Sequence, residues 1–429
     1  MSQSEPIDAQ GLPARAAALD LLTAALAKRA GIDEGLTHPA LNALEPRDRA
    51  FARALVLATL RRLGPIDAVL QSRLAKAPSD RVVQILRLGV AQAFVLGTPA
   101  HAAVATAVDL AAADPHSRPL KGLVNAVLRG LTREPPALDD PDLMAPPWLY
   151  ARWRAAFGEA DARAIAAQIA EEPATDVTLK DPADAQAVAA SLEAEALPGG
   201  SLRTALRGEV SAWPGFAEGR WWVQDAAAAI PARLLSVEST ETVLDMCAAP
   251  GGKTLQLAAA GARVTALDRS AGRLKRVTEN LGRTGLSAEV IAADATSWND
   301  RRRFDAVLLD APCSATGTFR RHPDVLWAAR PSDVASLAAL QSRLLDAAGR
   351  RVKEGGRLVY SVCSLEPEEG EAQVAAFLSR TPEFRLEPIA PGEGGAPEAS
   401  LRPDGALRIQ PHHLPGGLDG FYAARLRRA

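Results

Sequence analysis

From Thr240 to the C-terminus, short apolar runs alternate strictly with amphipathic stretches of helical spacing. Strands are expected at TVLDM, ARVTALD, AEVIAADA, FDAVLLDA and GRLVYSV. Helices are expected between them at KTLQLAAAG, AGRLKRVTENLGRTG and SDVASLAALQSRLLDAAGRR. Strands buried on both faces read as continuous apolar runs, and a helix must carry the chain back before each new parallel strand. Residues 240–429 are therefore expected to form an α/β, Rossmann-like unit with a mostly parallel sheet. The tail GALRIQPHHLPGGLDGFYAARLRRA is expected to add one or two antiparallel edge strands.

With 429 residues the chain is too long for one ordinary core. Between about Leu12 and Leu131 the apolar residues recur at three and four positions throughout, which predicts an all-α domain over 1–134. The stretch EPPALDDPDLMAPP follows, and Pro135, Pro136, Pro141, Pro146 and Pro147 predict a stiff, extended linker over 135–147. Residues 148–239 mix the helical patterns WLYARWRAAFG and EADARAIAAQIA with short strand candidates at ATDVTLK, ALRGEVSA and RWWVQD. They read as a small α+β segment.

Composition excludes several function classes. A formal charge of -2 is not that of a protein that coats nucleic acid by bulk positive charge. Three cysteines, an odd and sparse set, argue against a disulfide framework and for a reducing compartment. The six histidines show no metal-ligand spacing. The start MSQSEPIDAQ lacks the basic and apolar regions of a secretory leader, and no apolar run approaches a membrane span. A soluble, cytoplasmic protein without metal is expected.

Ligands of open α/β sheets bind beyond the carboxyl ends of the strands. Asp245, Asp268, Asp294 and Asp310 fall at those ends, together with Cys247, Cys313 and Cys363, every thiol of the chain. After the first strand, Cys247-Ala248-Ala249-Pro250-Gly251-Gly252-Lys253 resembles the end of a phosphate-binding loop. It has cysteine in place of the first glycine, and no dinucleotide fingerprint is present. What remains is a tight glycine turn exposing backbone amides, with Asp268 placed for a ribose diol and Asp294 for an adenine amino group. A nucleoside without pyrophosphate, S-adenosylmethionine, fits that pattern.

The other two cysteines suggest the acceptor. Carbon 5 of a pyrimidine becomes nucleophilic once a thiolate has added to carbon 6, after which it accepts a methyl group and loses its proton as the thiol departs. A helix starting near Pro367 would favour ionisation of Cys363, whereas Glu366, Glu368 and Glu369 would oppose it. Free cysteines are more often small buried hydrophobes, and Cys363 in YSVCS reads equally as core. Arg320, Arg321 and His322 either hold a phosphate or decorate a solvated loop. Arg47, Arg49, Arg53, Arg61, Arg62, Lys121, Arg129 and Arg133 either form a basic face or solvate helices.

DMCAAPGGKTLQLA, DAPCSATGTFRRHPDVLW and LVYSVCSLEPEEGEAQV, in this order, resemble the RNA cytosine-5 methyltransferases of the Nop/Sun (Fmu) family. The helical N-terminal region, ending in RPLKGLVNAVLRGL, resembles the NusB antitermination fold; the two resemblances cover nearly the whole chain. They imply an S-adenosyl-L-methionine pocket lined by Cys247 to Lys253, with Asp268, Asp294 and Asp310 on cofactor or target base and Arg273 near the cofactor. They also imply Cys363 as nucleophile and Cys313 as the residue that assists product release, with Asp310 hydrogen-bonding the base. The NusB-like domain and residues 148–239, with Gln224 and Asp225 just before the catalytic sheet, would bind RNA. The implied substrate is small-subunit ribosomal RNA, naked or early in assembly, bound by a monomer. A non-catalytic RNA-binding or antitermination-type factor and the same chemistry on transfer RNA or DNA are the competing readings. Two positions depart from the family's pattern: Val362 stands where threonine is usual, and Ala315 replaces the common glycine, both conservative in volume.

Overall fold

The structure is a computed structural model that describes residues 11–27 and 39–429. The ten N-terminal residues, including the stretch read for a leader, lie outside the described residues. The chain forms two compact units, one running through Glu172 and including Phe319–Ala328, the other comprising Pro173–Thr318 and Ala329–Ala429.

The first unit is helical. Its longer helices are Leu12–Ala27, Pro46–Arg61, Leu63–Arg73, Asp80–Phe94, Ala100–Ala113, Lys121–Arg133, Pro147–Phe157 and Glu159–Ala167. Leu19, Leu22, Leu55, Val56, Ile66, Ile85, Leu86, Val124 and Leu128 interlock in one core. Each such aliphatic side chain contributes roughly 1.5–3 kcal/mol by leaving water.

The proline-rich stretch does not behave as an extended linker. Leu138 is buried in the helical core, Pro141 opens the short helix Pro141–Met144, and Pro147 opens Pro147–Phe157. A proline in the first turn lacks only an N–H that would have no helical partner anyway, so it starts helices as readily as it stiffens linkers. The boundary between units consequently falls after Glu172, and both helices expected in the 148–239 segment belong to the helical unit.

That unit also takes in Phe319–Ala328, where Phe319 packs on Trp153 with ring centroids 5.9 Å apart and Trp327 donates to the Leu60 carbonyl. Arg320 is 2% exposed, so the solvated-loop reading of this arginine fails. The basic-face reading is reduced as well. Arg61 is buried and donates to Ile169 O, and Arg62 donates to Ala170 O. Arg47, Arg49, Arg53, Lys121, Arg129 and Arg133 are exposed.

The second unit begins with four short antiparallel strands, β1 (Thr175–Leu179), β2 (Glu195–Ala196), β3 (Leu202–Thr204) and β4 (Trp221–Val223), in the order β2-β3-β1-β4. ALRGEVSA is not a strand. The third strand lies just before it, and Val210–Ala212 is a single 3-10 turn. The main sheet holds β5 (Thr242–Met246), β6 (Arg263–Asp268), β7 (Glu289–Ala292), β8 (Phe304–Asp310), β9 (Val352–Val362), β10 (Phe384–Leu386), β11 (Leu407–Ile409) and β12 (Phe421–Arg428).

Its order is β10-β12-β9-β8-β5-β6-β7, with the five strands from β9 to β7 parallel. β12 is antiparallel but is not an edge strand. It pairs with β9 on one side and with β10 and β11 on the other. Its residues Phe421 to Leu426 are all buried, Arg425 among them with its guanidinium paired to Glu393, so Phe421 to Ala424 read as a continuous apolar run and not as a half-solvated alternation. Among the described residues no helix is long and apolar enough to cross a membrane, and no cluster of His, Cys, Asp or Glu could hold a metal.

Candidate active site

Five parallel strands deliver their carboxyl ends to one rim of the second unit. At the end of β5, Cys247 turns the chain with φ +63°. Gly251 follows at φ +109°, where a Cβ would stand 3.3 Å from the Val277 backbone. Only glycine fits that left-handed, crowded position, and it launches the helix Gly252–Ala259.

The turn is braced from β6. Asp268 accepts from the Ala249 amide (3.2 Å) and the Ser270 amide (2.9 Å). Arg273 donates to the Ala249 carbonyl at 2.5 Å and lies 3.8 Å from Asp268. Each Asp268 oxygen accepts one backbone donor and keeps a second lone pair, so the carboxylate can also receive a ribose hydroxyl. Asp294 lies two residues beyond β7 and is exposed. Its Oδ1 receives both the hydroxyl and the amide of Thr296, which hold its carboxyl below the ordinary range. The donor set thus fits an adenosine-type cofactor along the β5–β6–β7 rim.

Asp245 lies below this turn, completely buried, with its carboxyl pushed up to about 7 by burial. Burial also pushes the Cys247 thiol up to about 12, helped by Asp268, Asp310 and Asp245. That sulfur stays protonated at neutral pH and is no nucleophile.

The rest of the site is built from the ends of β8 and β9. Asp310 accepts from Lys253 Nζ at 2.7 Å and from Ser361 Oγ at 2.9 Å. Lys253 is nearly buried and also stands over the Phe421 ring, 5.4 Å from its centroid. Lys253, expected on the cofactor, therefore links the cofactor turn to the Asp310-Ala311-Pro312-Cys313 loop.

Cys313 and Cys363, fifty positions apart, meet with their sulfurs 3.4 Å from each other. The Cys313 thiol is pushed well above its ordinary value by the hydrogen bond with Cys363, then by burial and by the charges of Cys363 and Glu369. The Ala315 amide acts in the opposite sense. Ala315 has φ +56°. Its departure from glycine is thus a matter of backbone strain, not of side-chain volume. Val362 is fully buried in the core opposite Tyr422.

The expected helix dipole does not reach Cys363 as foreseen. The helix starts at Glu371, and Pro367 lies in the preceding turn. Glu366 and Glu369 are fully buried and Glu368 is exposed.

The second loop pair was not visible in sequence. Gly420 N–H donates to Gly317 O at 2.8 Å, and a Cβ on Gly317 would stand 2.0 Å from Gly420 O. This brings the β12 approach, and with it Phe421, against the thiol loop.

A family model described as 16S rRNA methyltransferase RsmB/F matches residues 232–427, and a NusB family model matches residues 12–133. Among curated proteins, ribosomal RNA small subunit methyltransferase B of Pseudomonas syringae pv. tomato is 40% identical, covering 96% of each chain. The protein of the same name from Xanthomonas campestris pv. campestris is 38% identical over 98% of each chain, and that from Vibrio cholerae is 37% identical over 90% of this chain and 91% of its own. Among solved structures, the crystal structure of PH0851 superposes with a TM-score of 0.78 at 24% identity, covering both chains fully. NSun6 from Pyrococcus horikoshii with SFG gives 0.57 at 21% identity over 66% of this chain and 98% of its own. These two structural likenesses concern the fold.

Proposed function

This chain belongs to the 16S rRNA methyltransferase RsmB/F family and carries that family's catalytic domain behind a NusB-family domain, and from that premise we propose that it methylates carbon 5 of a cytosine in small-subunit ribosomal RNA through a covalent adduct with Cys363. The methyl donor is S-adenosyl-L-methionine, which supplies an electrophilic methyl group beside the acceptor carbon. Cys247, Ala248, Ala249, Pro250, Gly251, Gly252 and Lys253, with Asp268, Arg273 and Asp294, are the residues that would hold it.

One observation carries the reading: Cys313 and Cys363 are in contact, at 3.4 Å, beside Asp310 on the rim that bears the glycine turn. The Cys363 sulfur adds to carbon 6, and the ring electrons displaced towards carbon 5 take the methyl group. The proton on carbon 5 then passes to a water molecule from solvent, the carbon–sulfur bond breaks, and the sulfur departs with its electron pair. Cys313, whose thiol is held protonated, can donate its S–H to the Cys363 sulfur as that sulfur departs, which assists the elimination. Attack at carbon 6 places negative charge on the ring near N3. Asp310 can accept from the exocyclic amino group on that edge, and Lys253 Nζ, 2.7 Å from Asp310, offsets the developing negative charge.

The target base must leave its stack to reach the sulfur, so a looped or single-stranded segment is the substrate. The NusB-family helical unit and the four-stranded sheet of residues 173–239 are read as the surfaces that deliver it. Labelled S-adenosyl-L-methionine incubated with the purified chain and a small-subunit rRNA transcript, followed by bisulfite sequencing, tests the reading. One cytosine should resist conversion, and it should do so only when the protein is present. Label incorporation with every cytosine still converting would place the methyl group on another atom. Methylation of a transfer RNA transcript alone would move the substrate.

A further inference from the structure

Glu369 has no part in the chemistry above, yet it is completely buried and no cation pairs with it among the described residues. A lone carboxylate is costly to keep away from water unless its oxygens are fully engaged. Here they are. Oε1 accepts from the Ser314 amide at 2.9 Å and from Gln341 Nε2 at 3.1 Å. Oε2 accepts from the hydroxyls of Ser314 and Ser364, both at 2.5 Å. The two hydroxyls are themselves 3.1 Å apart. Ser314 follows Cys313 and Ser364 follows Cys363, so one carboxylate grips the residue next to each thiol.

The loops are also joined by Gly317 N–H to Cys363 O (3.0 Å) and by Leu365 N–H to Thr316 Oγ1 (3.1 Å). The first ties the two loop backbones; the second runs through the Thr316 hydroxyl, which also lies 3.3 Å from Ser364 Oγ, while Ser314 is joined to the other loop, among the described residues, only through Ser364 and Glu369. We propose that Glu369 is the positioning residue of the thiol pair, setting the spacing and register of Cys313 and Cys363 through Ser314 and Ser364. What the pair is used for rests on the reading above, whereas its spacing does not. The same charge acts on Cys313, helping it keep its proton. One residue thus holds the two sulfurs together.

Phenylarsine oxide reads the spacing directly. It forms two arsenic–sulfur bonds with neighbouring thiols, releases water, and resists excess glutathione only when both sulfurs are in reach. The intact chain should take up one glutathione-resistant arsenical, and Cys313→Ser or Cys363→Ser should abolish it. Glu369→Ala should weaken arsenical binding about ten-fold and slow single-turnover methyl transfer about a hundred-fold, the cost of a misplacement near 1 Å. Its KM for S-adenosyl-L-methionine should change by less than about two-fold, because the cofactor turn is untouched.

Glu369→Gln keeps an acceptor oxygen and the shape, and should restore arsenical binding to within about three-fold of the intact chain. Should Glu369→Ala fail to fold, Ser314→Ala and Ser364→Ala remove single donors and should each give an intermediate loss. Undiminished arsenical binding by Glu369→Ala, or by both serine variants, overturns the proposal, as does an intact chain that takes up no resistant arsenical. Arsenical binding that falls as described in a chain that methylates no RNA supports the positioning role and refutes the chemistry assigned to the pair.

Discussion

Replacing Asp245 by asparagine should stabilise the α/β unit by an amount that grows with pH. Asp245 is fully buried. Thr254 donates to its Oδ2 at 2.5 Å, and its Oδ1 meets no donor among the described residues. Burial raises the carboxyl from 3.8 to about 7, so the folded state keeps a proton that the unfolded chain releases near pH 4. Below the unfolded value there is no penalty. Between the two values each pH unit costs the fold about 1.4 kcal/mol, and above the folded value the loss levels off at about 4 kcal/mol.

Asparagine cannot ionise and escapes this loss. Its amide, however, places an unpartnered N–H where Oδ1 stood, costing about 1–3 kcal/mol at every pH. The two effects roughly balance at pH 5, where the ionisation penalty is about 1.7 kcal/mol. By pH 8 asparagine is ahead by about 1–3 kcal/mol. The difference between pH 5 and pH 8, about 2.5 kcal/mol, does not depend on what the amide costs. Calorimetric melts of both proteins at pH 5, 6, 7 and 8 measure it, at roughly 2–4 °C per kcal/mol for a unit of this size. A wild-type-minus-variant difference that stays flat across that range would show the carboxylate to be ionised in the fold and refute the reasoning.

Cys363→Ala should abolish methyl transfer, whereas Cys313→Ala should leave a stalled protein–RNA adduct on a denaturing gel. Adduct formation by Cys363→Ala would show the roles reversed. Ala315→Gly should raise the melting temperature of the α/β unit. It relieves about 1–2 kcal/mol of left-handed strain against about 0.4–1 kcal/mol of extra unfolded-state entropy, and a lowered melting temperature would show that φ +56° is unstrained here. Gly317→Ala should cost methyl transfer at least about ten-fold, since the added Cβ would stand 2.0 Å from a backbone oxygen that cannot swing aside. Unchanged single-turnover rates would show that the Gly317–Gly420 approach does not shape the thiol loop.

Much of this protein is legible without coordinates because two signals are local. The switch from helical spacing to short apolar runs after Thr240 announces the parallel sheet; β5, β6, β7 and β8 form within the runs that announce them, and β9 contains its run but starts four residues earlier, at Val352. Since side chains at parallel strand ends share one rim, the position of Asp268, Asp310, Cys313 and Cys363 along the chain already gathers them there.

Tertiary structure decided what depends on pairing between distant segments. β12 has the apolar pattern of a strand, but nothing in it says that it will insert between β9 and β10. Pro141 and Pro147 carry the same local preference whether they stiffen a linker or begin a helix, and the packing of Leu138 into the helical core settled which. The 3.4 Å meeting of two thiols fifty positions apart, the Lys253–Asp310 pair and the grip of Glu369 on both thiol loops are consequences of strand register. Periodicity states which face of an element leaves water, whereas register states which residue of another element it meets, and only the folded chain contains the second fact.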